Sequence, residues 1–236
     1  MTTRENGLGQ PIGAEVPGWT PRPRPPRAVM HGRYCRVEPL DPSRHAAELH
    51  EANSLDREGR MWTYLFSGPF ASFDDYRVWL EAKQGSEDPL FFAFVDAASG
   101  RAVGLGSYLR IDPSNGTVEV GHLQFSPRLQ RTAAATEAMY LMMKTAFELG
   151  YRRYEWKCDA LNAGSRRAAE RLGFRFEGVF RQAIVYKGRS RDTAWYSVID
   201  NEWPVLEAAF RAWLDPANFD VGGRQRRSLV ELRAGA

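Results

Sequence analysis

Residues 118–138 combine residue types that suit the binding of an anion. An alternating strand pattern at 118–125 leads into a polar and basic loop at 126–131, and an alanine-rich helix start follows at Thr132. Small residues at a helix start allow the backbone to approach a ligand, and the N–H groups of the first turn have no partner within the helix. With arginines beside them, these groups predict a site for a phosphate or pyrophosphate.

Size and composition limit the classes of protein to which this chain can belong. The 236 residues are 43% hydrophobic and 12% aromatic, which suffices for one packed domain with appendages. The formal net charge is only +3, and the basic residues are spread along the chain apart from an N-terminal arm and a short cluster at 224–227. A nucleic-acid partner is not expected, because it would need a clearer basic surface.

Residue types that bind metals or span membranes are sparse or scattered. Cys35 and Cys158 have no neighbours at metal-ligand spacing, and the four histidines lie apart in the sequence. The sequence shows no long apolar span and no secretory leader. We therefore expect no metal, no membrane partner and a cytoplasmic, reducing environment.

Three regions are predicted along the chain. Residues 1–30 are rich in Pro and Arg and are expected to form an extended surface arm, with Trp19 as its candidate anchor. Residues 31–200 alternate between strand and helix patterns and are expected to form the main domain. Residues 201–236 are expected to form a C-terminal extension, with one helix followed by a loose tail.

The main domain begins with a strand and two helices and ends in a hairpin. The predicted strands cover residues 34–40, 90–95, 102–111, 117–125, 153–158, 175–186 and 192–199, and the predicted helices cover residues 44–53, 75–82, 132–149, 165–172 and 203–214. Asp41 and Pro42 are the expected start of the first helix. This order predicts an α+β fold with one mixed, mostly antiparallel sheet and helices on both faces.

Several short motifs occur in a recognisable order. They are Pro127-x-x-Gln130-x-x-Ala133-x-Ala135-Thr136-Glu137-Ala138, Asn162-x-x-Ser165, Leu172-Gly173-Phe174, Arg189-x-Arg191-Asp192 and Trp195-Tyr196-Ser197. Together they resemble the GNAT superfamily of acetyl-CoA-dependent N-acetyltransferases, and within it the RimJ/RimL-type branch, over roughly residues 32–199. The resemblance implies a GNAT fold with splayed central strands for residues 31–200, and acetyl-CoA as co-substrate.

The resemblance also implies which residues bind acetyl-CoA. Backbone groups of Leu123, Gln124 and Phe125 would face the thioester, and the pyrophosphate would lie on Gln130, Arg131, Thr132, Ala133, Ala134, Ala135 and Thr136. Ala133 replaces a glycine of the family pattern; its N–H remains, but the extra methyl narrows the approach. Asn162 matches the family asparagine that hydrogen-bonds the pantetheine arm, although a helix cap or turn would equally explain it.

Catalytic roles are implied for Glu119 and Ser165. Similar enzymes carry a carboxylate at the position of Glu119, which removes the proton of the incoming ammonium; the alternative is a salt-bridged surface glutamate. Ser165 either caps the short helix or places its hydroxyl near the thioester sulfur. The tyrosine that often protonates the leaving thiolate is replaced by Ala169. His122 and Cys158 share their strand parity with core residues and are expected to pack.

An aromatic segment is expected to form the acceptor side of the site, with Trp62 and Tyr64 as the pocket candidates. These features predict an acetyl-CoA-dependent N-acetyltransferase in which a primary amine, either a protein N-terminal α-amine or a small amine, attacks directly. The alternative is a catalytically degenerate acyl-CoA-binding sensor, which the changes at Ala133 and Ala169 would permit. A homodimer is compatible with the aromatic C-terminal extension.

Overall fold

The computed structural model describes residues 4–235 and contains a central sheet of eight strands. The strand order is β3-β4-β5-β6-β7-β8-β10-β9, and all neighbours are antiparallel except β7 and β8, which are parallel. The strands are β3 (Met30–His31), β4 (Cys35–Pro39), β5 (Leu90–Asp96), β6 (Ala102–Asp112), β7 (Thr117–Phe125), β8 (Arg153–Asp159), β9 (Arg175–Tyr186) and β10 (Arg189–Ile199). The short strands β1 (Arg4–Glu5) and β2 (Pro11–Ile12) pair separately.

Helices cover both faces of this sheet. They are α1 (Pro42–Ser54), α2 (Phe73–Glu81), α3 (Ala133–Glu148), α4 (Ala163–Arg171), α5 (Trp203–Leu214) and α6 (Leu229–Ala234), with single 3-10 turns at Arg60–Trp62 and Pro216–Asn218. Buried residues of α1 and α2 form the core on one face, while those of α3 to α6 form the larger core on the other. The predicted α+β architecture is confirmed. None of the helices within residues 4–235 is long and apolar enough to cross a membrane.

The parallel strands β7 and β8 separate partway along their length. Residues 117–120 pair with residues 153–156, and the pairing stops there. On the other side β7 stays paired with β6 as far as Phe125, although the register shifts between Leu105 and Ser107. The C-terminal halves of β7 and β8 therefore border an open gap, as the expected splay requires.

A β-bulge at His122 accompanies the separation of the two strands. His122 adopts a positive φ of 52°, opposite the register shift in β6. The bulge breaks the alternation of β7, so His122 does not follow Val118 and Val120 into the α3 core. Its ring contacts Phe91 on the α1–α2 face instead. The prediction that His122 lies on the same face of β7 as these valines is therefore wrong.

Glu137 of α3 anchors the first strand of the domain. It is buried, and its two carboxylate oxygens accept hydrogen bonds from the backbone N–H groups of Arg33, Tyr34 and Cys35 at 2.8, 2.6 and 2.8 Å. A Cβ at Gly32 would lie 2.3 Å from a Glu137 carboxylate oxygen, so glycine is required for this approach. Within the predicted anion-binding motif, Glu137 is thus a structural residue.

Both terminal segments lie against the domain. Trp19 of the N-terminal arm donates a hydrogen bond from its indole to the carbonyl of Ser114 at 2.8 Å, and the Arg22 guanidinium lies 4.3 Å from the centre of its ring. At the other end, α6 begins with a capping box formed by Ser228 and Glu231, and Leu229 is buried in the core. The C-terminal segment thus forms a docked helix where a loose tail was expected.

Candidate active site

One large cavity follows the gap between β7 and β8. Its volume is about 1670 Å³, more than a single drug-sized ligand usually needs. Its lining includes residues 121–125 and 156–159, residues at the start of α3, and Glu119. The cavity thus connects the predicted anion site with the predicted catalytic carboxylate.

The start of α3 presents backbone donors to this cavity. Thr132 is the N-cap, and its hydroxyl oxygen accepts from the N–H of Ala135 at 3.1 Å. No acceptor among residues 4–235 is found for the N–H groups of Arg131 and Ala133, which line the cavity, or of Ala134, which does not line it. Arg131 carries the positive φ, 63°, of this loop. The alanine at position 133 is helical and therefore unstrained. Such a set of free N–H groups suits an anion.

The loop before α3 is tied to the end of β7. The side-chain amide of Gln130 donates to the carbonyl of Phe125 at 2.7 Å. Leu123, Gln124 and Phe125 line the cavity, along the part of β7 that lies beyond its pairing with β8. Gln130 therefore positions the loop, and the three β7 residues border the gap.

A buried cluster of charges lies where β7 and β8 separate. The Lys157 ammonium lies 2.9 Å from a Glu119 carboxylate oxygen and 2.7 Å from a Glu155 oxygen. Arg110 donates to Glu119 at 2.6 Å. The side chains of Lys157 and Glu119 are only 4% and 6% exposed. Glu119 is therefore salt-bridged, as the structural alternative stated, but it is buried and borders the cavity instead of lying on the surface.

His122 lies beside this cluster. Burial, followed by the nearby charges of Lys83 and Arg110, lowers the pKa of His122 to about 4, so its ring is neutral at neutral pH. One ring nitrogen, Nδ1, lies 2.9 Å from the hydroxyl of Ser107. His122 also lines the cavity. The ring is thus held in place in its neutral form.

Comparison with known proteins identifies this arrangement. The model of the acetyltransferase (GNAT) domain matches residues 36–175, more than half of the chain. This chain belongs to the GNAT acetyltransferase family.

Solved structures agree with the assignment to the GNAT family. A GCN5-related N-acetyltransferase from Brucella melitensis is 50% identical, with a TM-score of 0.91 over 93% of this chain and all of that one. A probable GNAT-family acetyltransferase from Chromobacterium violaceum is 41% identical, with a TM-score of 0.77 over 83% of this chain and 98% of that one. The expected GNAT fold with splayed central strands is confirmed.

A curated relative is more distant. The uncharacterized N-acetyltransferase YnaD of Bacillus subtilis is 30% identical over 88 residues, which is 37% of this chain. The match spans about half, 51%, of the length of that relative.

Asn162 and Ser165 border the GNAT cleft, and the structure decides which of the two residues caps the adjoining helix. Asn162 is the N-cap of α4, because its side-chain oxygen accepts from the N–H of Ser165 at 3.0 Å. The expectation that Ser165 caps this helix is wrong. The Ser165 hydroxyl instead accepts from the Trp156 indole at 3.0 Å. Capping uses only the carbonyl oxygen of Asn162, so its amide NH₂ remains a donor for a ligand.

The two aromatic pocket candidates occupy different places. Tyr64 lines the cavity, and its hydroxyl donates to the carbonyl of Leu161 across the cleft at 3.3 Å. Trp62 is 5% exposed and packs edge-on against Phe70 in the α1–α2 core. Only the backbone of Trp62 contacts the acceptor side, where its carbonyl accepts from Lys187 at 2.8 Å.

The sequence analysis missed several cationic residues of the cleft, namely Arg110, Lys157, Arg171 and Arg191. Lys157 alternates with Arg153 and Glu155, a pattern that equally suits a solvated strand face. Arg171 donates to the hydroxyl of Thr136 at 3.1 Å and lies 5.0 Å from the Trp213 ring centre. Burial lowers the pKa of Arg171. The C-terminal extension thus closes the end of the cleft at the start of α3, which we call the cradle (residues 131–134). No local sequence signal revealed this contact.

Proposed function

We propose that this chain is an acetyl-CoA-dependent N-acetyltransferase of the RimJ/RimL type, in which a primary amine attacks the thioester directly. The observation that carries the proposal is the single cavity that joins free N–H groups at the start of α3 to the buried carboxylate of Glu119. Membership of the GNAT family supports the same chemistry.

The residues at the cradle end fit a diphosphate. Backbone N–H groups of Arg131, Ala133 and Ala134 are free to donate, and Arg171 adds a nearby positive charge. The Asn162 amide donates to the pantetheine arm, and backbone groups of residues 123–125 orient the thioester carbonyl. Acetyl-CoA itself supplies the activated acetyl group.

Glu119 accepts the proton of the incoming ammonium, directly or through a water molecule. Lys157 is a positioning residue, since its ammonium fixes the carboxylates of Glu119 and Glu155 together. His122 is neutral at neutral pH, and its lowered pKa makes its ring a weaker proton acceptor than an ordinary imidazole. At the leaving-group end, Ala169 has no acidic group and is fully buried, so it cannot protonate the thiolate. The Ser165 hydroxyl or water remains as the proton donor.

The acceptor side is partly closed by the β9–β10 hairpin. The Lys187 ammonium donates to the carbonyls of Trp62, Ser67 and Gly68 at 2.8, 3.2 and 2.7 Å. Arg189 donates to the carbonyl of Thr63 at 2.7 Å. These bonds fasten the hairpin to the loop that carries Tyr64. A covered acceptor pocket favours a small amine over a protein N-terminus.

Release of free thiol from acetyl-CoA, measured with a panel of small amines and of peptides with free N-termini, tests the proposal. We expect turnover with at least one amine, a product heavier by one acetyl group, and better turnover with small amines. If acetyl-CoA binds but no amine is turned over, the chain is a sensor of acyl-CoA and the proposed activity is wrong.

A further inference from the structure

Strand β10 carries three polar side chains without hydrogen-bond partners. Buried atoms that find no partner among residues 4–235 include Nε of Arg191, the hydroxyl of Thr193 and the indole N–H of Trp195. The three residues alternate along β10, and all three line the cavity. Buried polar groups in native proteins nearly always have partners, so three such donors in one cavity wall indicate a polar ligand.

Arg191 is the most informative of the three residues. It is 6% exposed, and its guanidinium forms no ion pair or side-chain hydrogen bond with any residue that the structure describes. Its neighbours are aromatic: the ring centres of Phe66 and Tyr186 lie 5.5 and 6.0 Å away. By contrast, Arg110 and Arg153 of the same cleft region pair with glutamates.

The nearest acidic residues along the strands are already engaged elsewhere. Asp159, which pairs with Thr193 across β8 and β10, accepts from the Tyr186 hydroxyl at 2.8 Å and from the Leu161 N–H at 2.9 Å. Asp192 accepts from the N–H of Gln182 at 2.7 Å. Neither carboxylate forms an ion pair with Arg191, so its guanidinium is free to bind an anion brought by a ligand.

This site adjoins the proposed proton acceptor. The Trp195 ring centre lies 3.7 Å from the Lys157 ammonium, which in turn lies 2.9 Å from Glu119. Arg191 comes four residues before Trp195 along β10, so their Cα atoms lie about 13 Å apart. The long side chains of both residues shorten the distance between their polar groups. Glu119 lies beside Glu155, which pairs with Ser197 of β10, so Arg191 is six strand residues, about 20 Å, from the strand position of Glu119. Both side chains reduce this separation, but a ligand whose amine lies near Glu119 and whose acidic group lies near Arg191 must still be elongated.

The charge and shape of the site select the acidic group. One guanidinium neutralises one negative charge and binds a planar carboxylate through two parallel hydrogen bonds. The Thr193 hydroxyl and the Trp195 indole add neutral donors. A phosphate dianion would leave a net negative charge beside Glu119 and Asp159. The cavity end that suits phosphates lies instead at the start of α3.

We propose that the acceptor is an elongated small amine that carries a carboxylate at its far end, as the side-chain amine of lysine does, and that Arg191, Thr193 and Trp195 bind this carboxylate. The assignment rests on the proposed acetyltransferase function and names its substrate class.

Equilibrium binding to the full-length protein saturated with coenzyme A tests this proposal without turnover. The probes are Nε-acetyl-lysine and N-acetylated ω-amino acids of increasing chain length, each as the free carboxylate and as the amide. We expect at least one carboxylate to bind about tenfold more tightly than its amide. Arg191→Gln should remove that preference, Arg191→Lys should keep part of it, and Arg181→Gln, on an exposed part of the same hairpin, should keep it fully.

Equal binding of carboxylates and amides, or a preference that survives in a folded Arg191→Gln protein, would overturn the carboxylate site. Thiol release measured on the same amine pairs separates this failure from that of the proposed function. Turnover without any advantage for carboxylates contradicts only the substrate class. A carboxylate preference in binding, without turnover of any amine, contradicts only the enzymatic activity.

Discussion

The ammonium nitrogen of Lys157 lies 2.9 Å from a carboxylate oxygen of Glu119 and so links the two strands that border the cleft. Glu119 of β7 stands directly beside Glu155 of β8 in the parallel register. Two adjacent buried carboxylates repel each other, and Lys157, which also contacts Glu155 at 2.7 Å, offsets this repulsion. The charge cluster therefore stabilises the fold at the point where the strands separate.

Replacing Lys157 with Met should destabilise the protein markedly. The substitution removes the cation that Glu119 and Glu155 share, while Arg110 and Arg153 still pair with them, so the expected cost is about 1.5–3 kcal/mol and not that of an unpaired buried charge. Urea unfolding of wild type and variant measures the change. Lys144→Met is the matched control, because Lys144 forms an i,i+4 pair on a more exposed helix surface and should cost less than about 1 kcal/mol. Similar losses for the two variants would contradict the structural importance of the buried cluster.

Replacing Glu119 with Gln should impair the chemical step and leave coenzyme A binding unchanged. Loss of a general base typically lowers kcat by about 10²- to 10⁴-fold. Thiol-release kinetics and calorimetry with coenzyme A measure the two properties. Glu148→Gln, at an exposed position of α3, serves as the control. A kcat within about twofold of wild type would assign the proton to another group.

Two substitutions of Asn162 separate its capping role from its ligand role. Asn162→Ser keeps an N-cap acceptor for the Ser165 N–H but removes the amide donor, whereas Asn162→Ala removes both. We expect both variants to bind coenzyme A several-fold more weakly, and only Asn162→Ala to lose about 1 kcal/mol of stability. Unchanged affinity in a folded Asn162→Ser protein would show that Asn162 is only a cap.

His122 should make stability depend on pH. Its pKa is lowered from 6.5 to about 4, so the unfolded chain binds more protons between these values and stability falls as the pH decreases from 6.5 to 4. Above pH 6.5 His122 is neutral in both the folded and the unfolded chain, so its contribution to stability is fully present. The change amounts to about 3 kcal/mol at most.

Urea unfolding across this pH range, for wild type and His122→Asn, measures that contribution. Asn tolerates the positive φ of position 122. The stability of the variant should depend less on pH than that of wild type. Burial also lowers the pKa of His45, but this residue is present in both proteins and contributes equally. Parallel profiles would mean that His122 is not held in its neutral form.

Local patterns predicted most elements of the fold. The β7 strand and helix α5 have the predicted bounds, and α3 differs from its predicted bounds by one residue at each end. Alternation, helix periodicity and caps such as Asp41 depend on neighbouring residues and are visible in the sequence. The free N–H groups at the start of α3 were predictable for the same reason, because their residues lie close together in the sequence.

Features that depend on long-range contacts were not predictable in this way. The pairing of Glu119 with Lys157 follows from the register of two strands that are far apart in the sequence. The bulge at His122 follows from the register shift between β7 and β6. Arg191 was missed as a separate ligand site because its lack of a partner appears only when the surrounding strands are in place. The choice between Asn162 and Ser165 as helix cap likewise needed the actual start of α4.

The most direct test of the cradle is calorimetry of coenzyme A binding to wild type and Ala133→Pro. Ala133 is the first residue of α3, a position that accepts proline, and Thr132 before it has the extended conformation that proline requires. The substitution removes one cradle N–H and leaves the helix intact. We predict saturable one-to-one binding by wild type, and affinity at least about tenfold lower in a folded variant. Pantetheine, which lacks the phosphates, should bind both proteins equally. No heat of binding with wild type at millimolar coenzyme A, or equal affinity of the two proteins for it, would contradict the account.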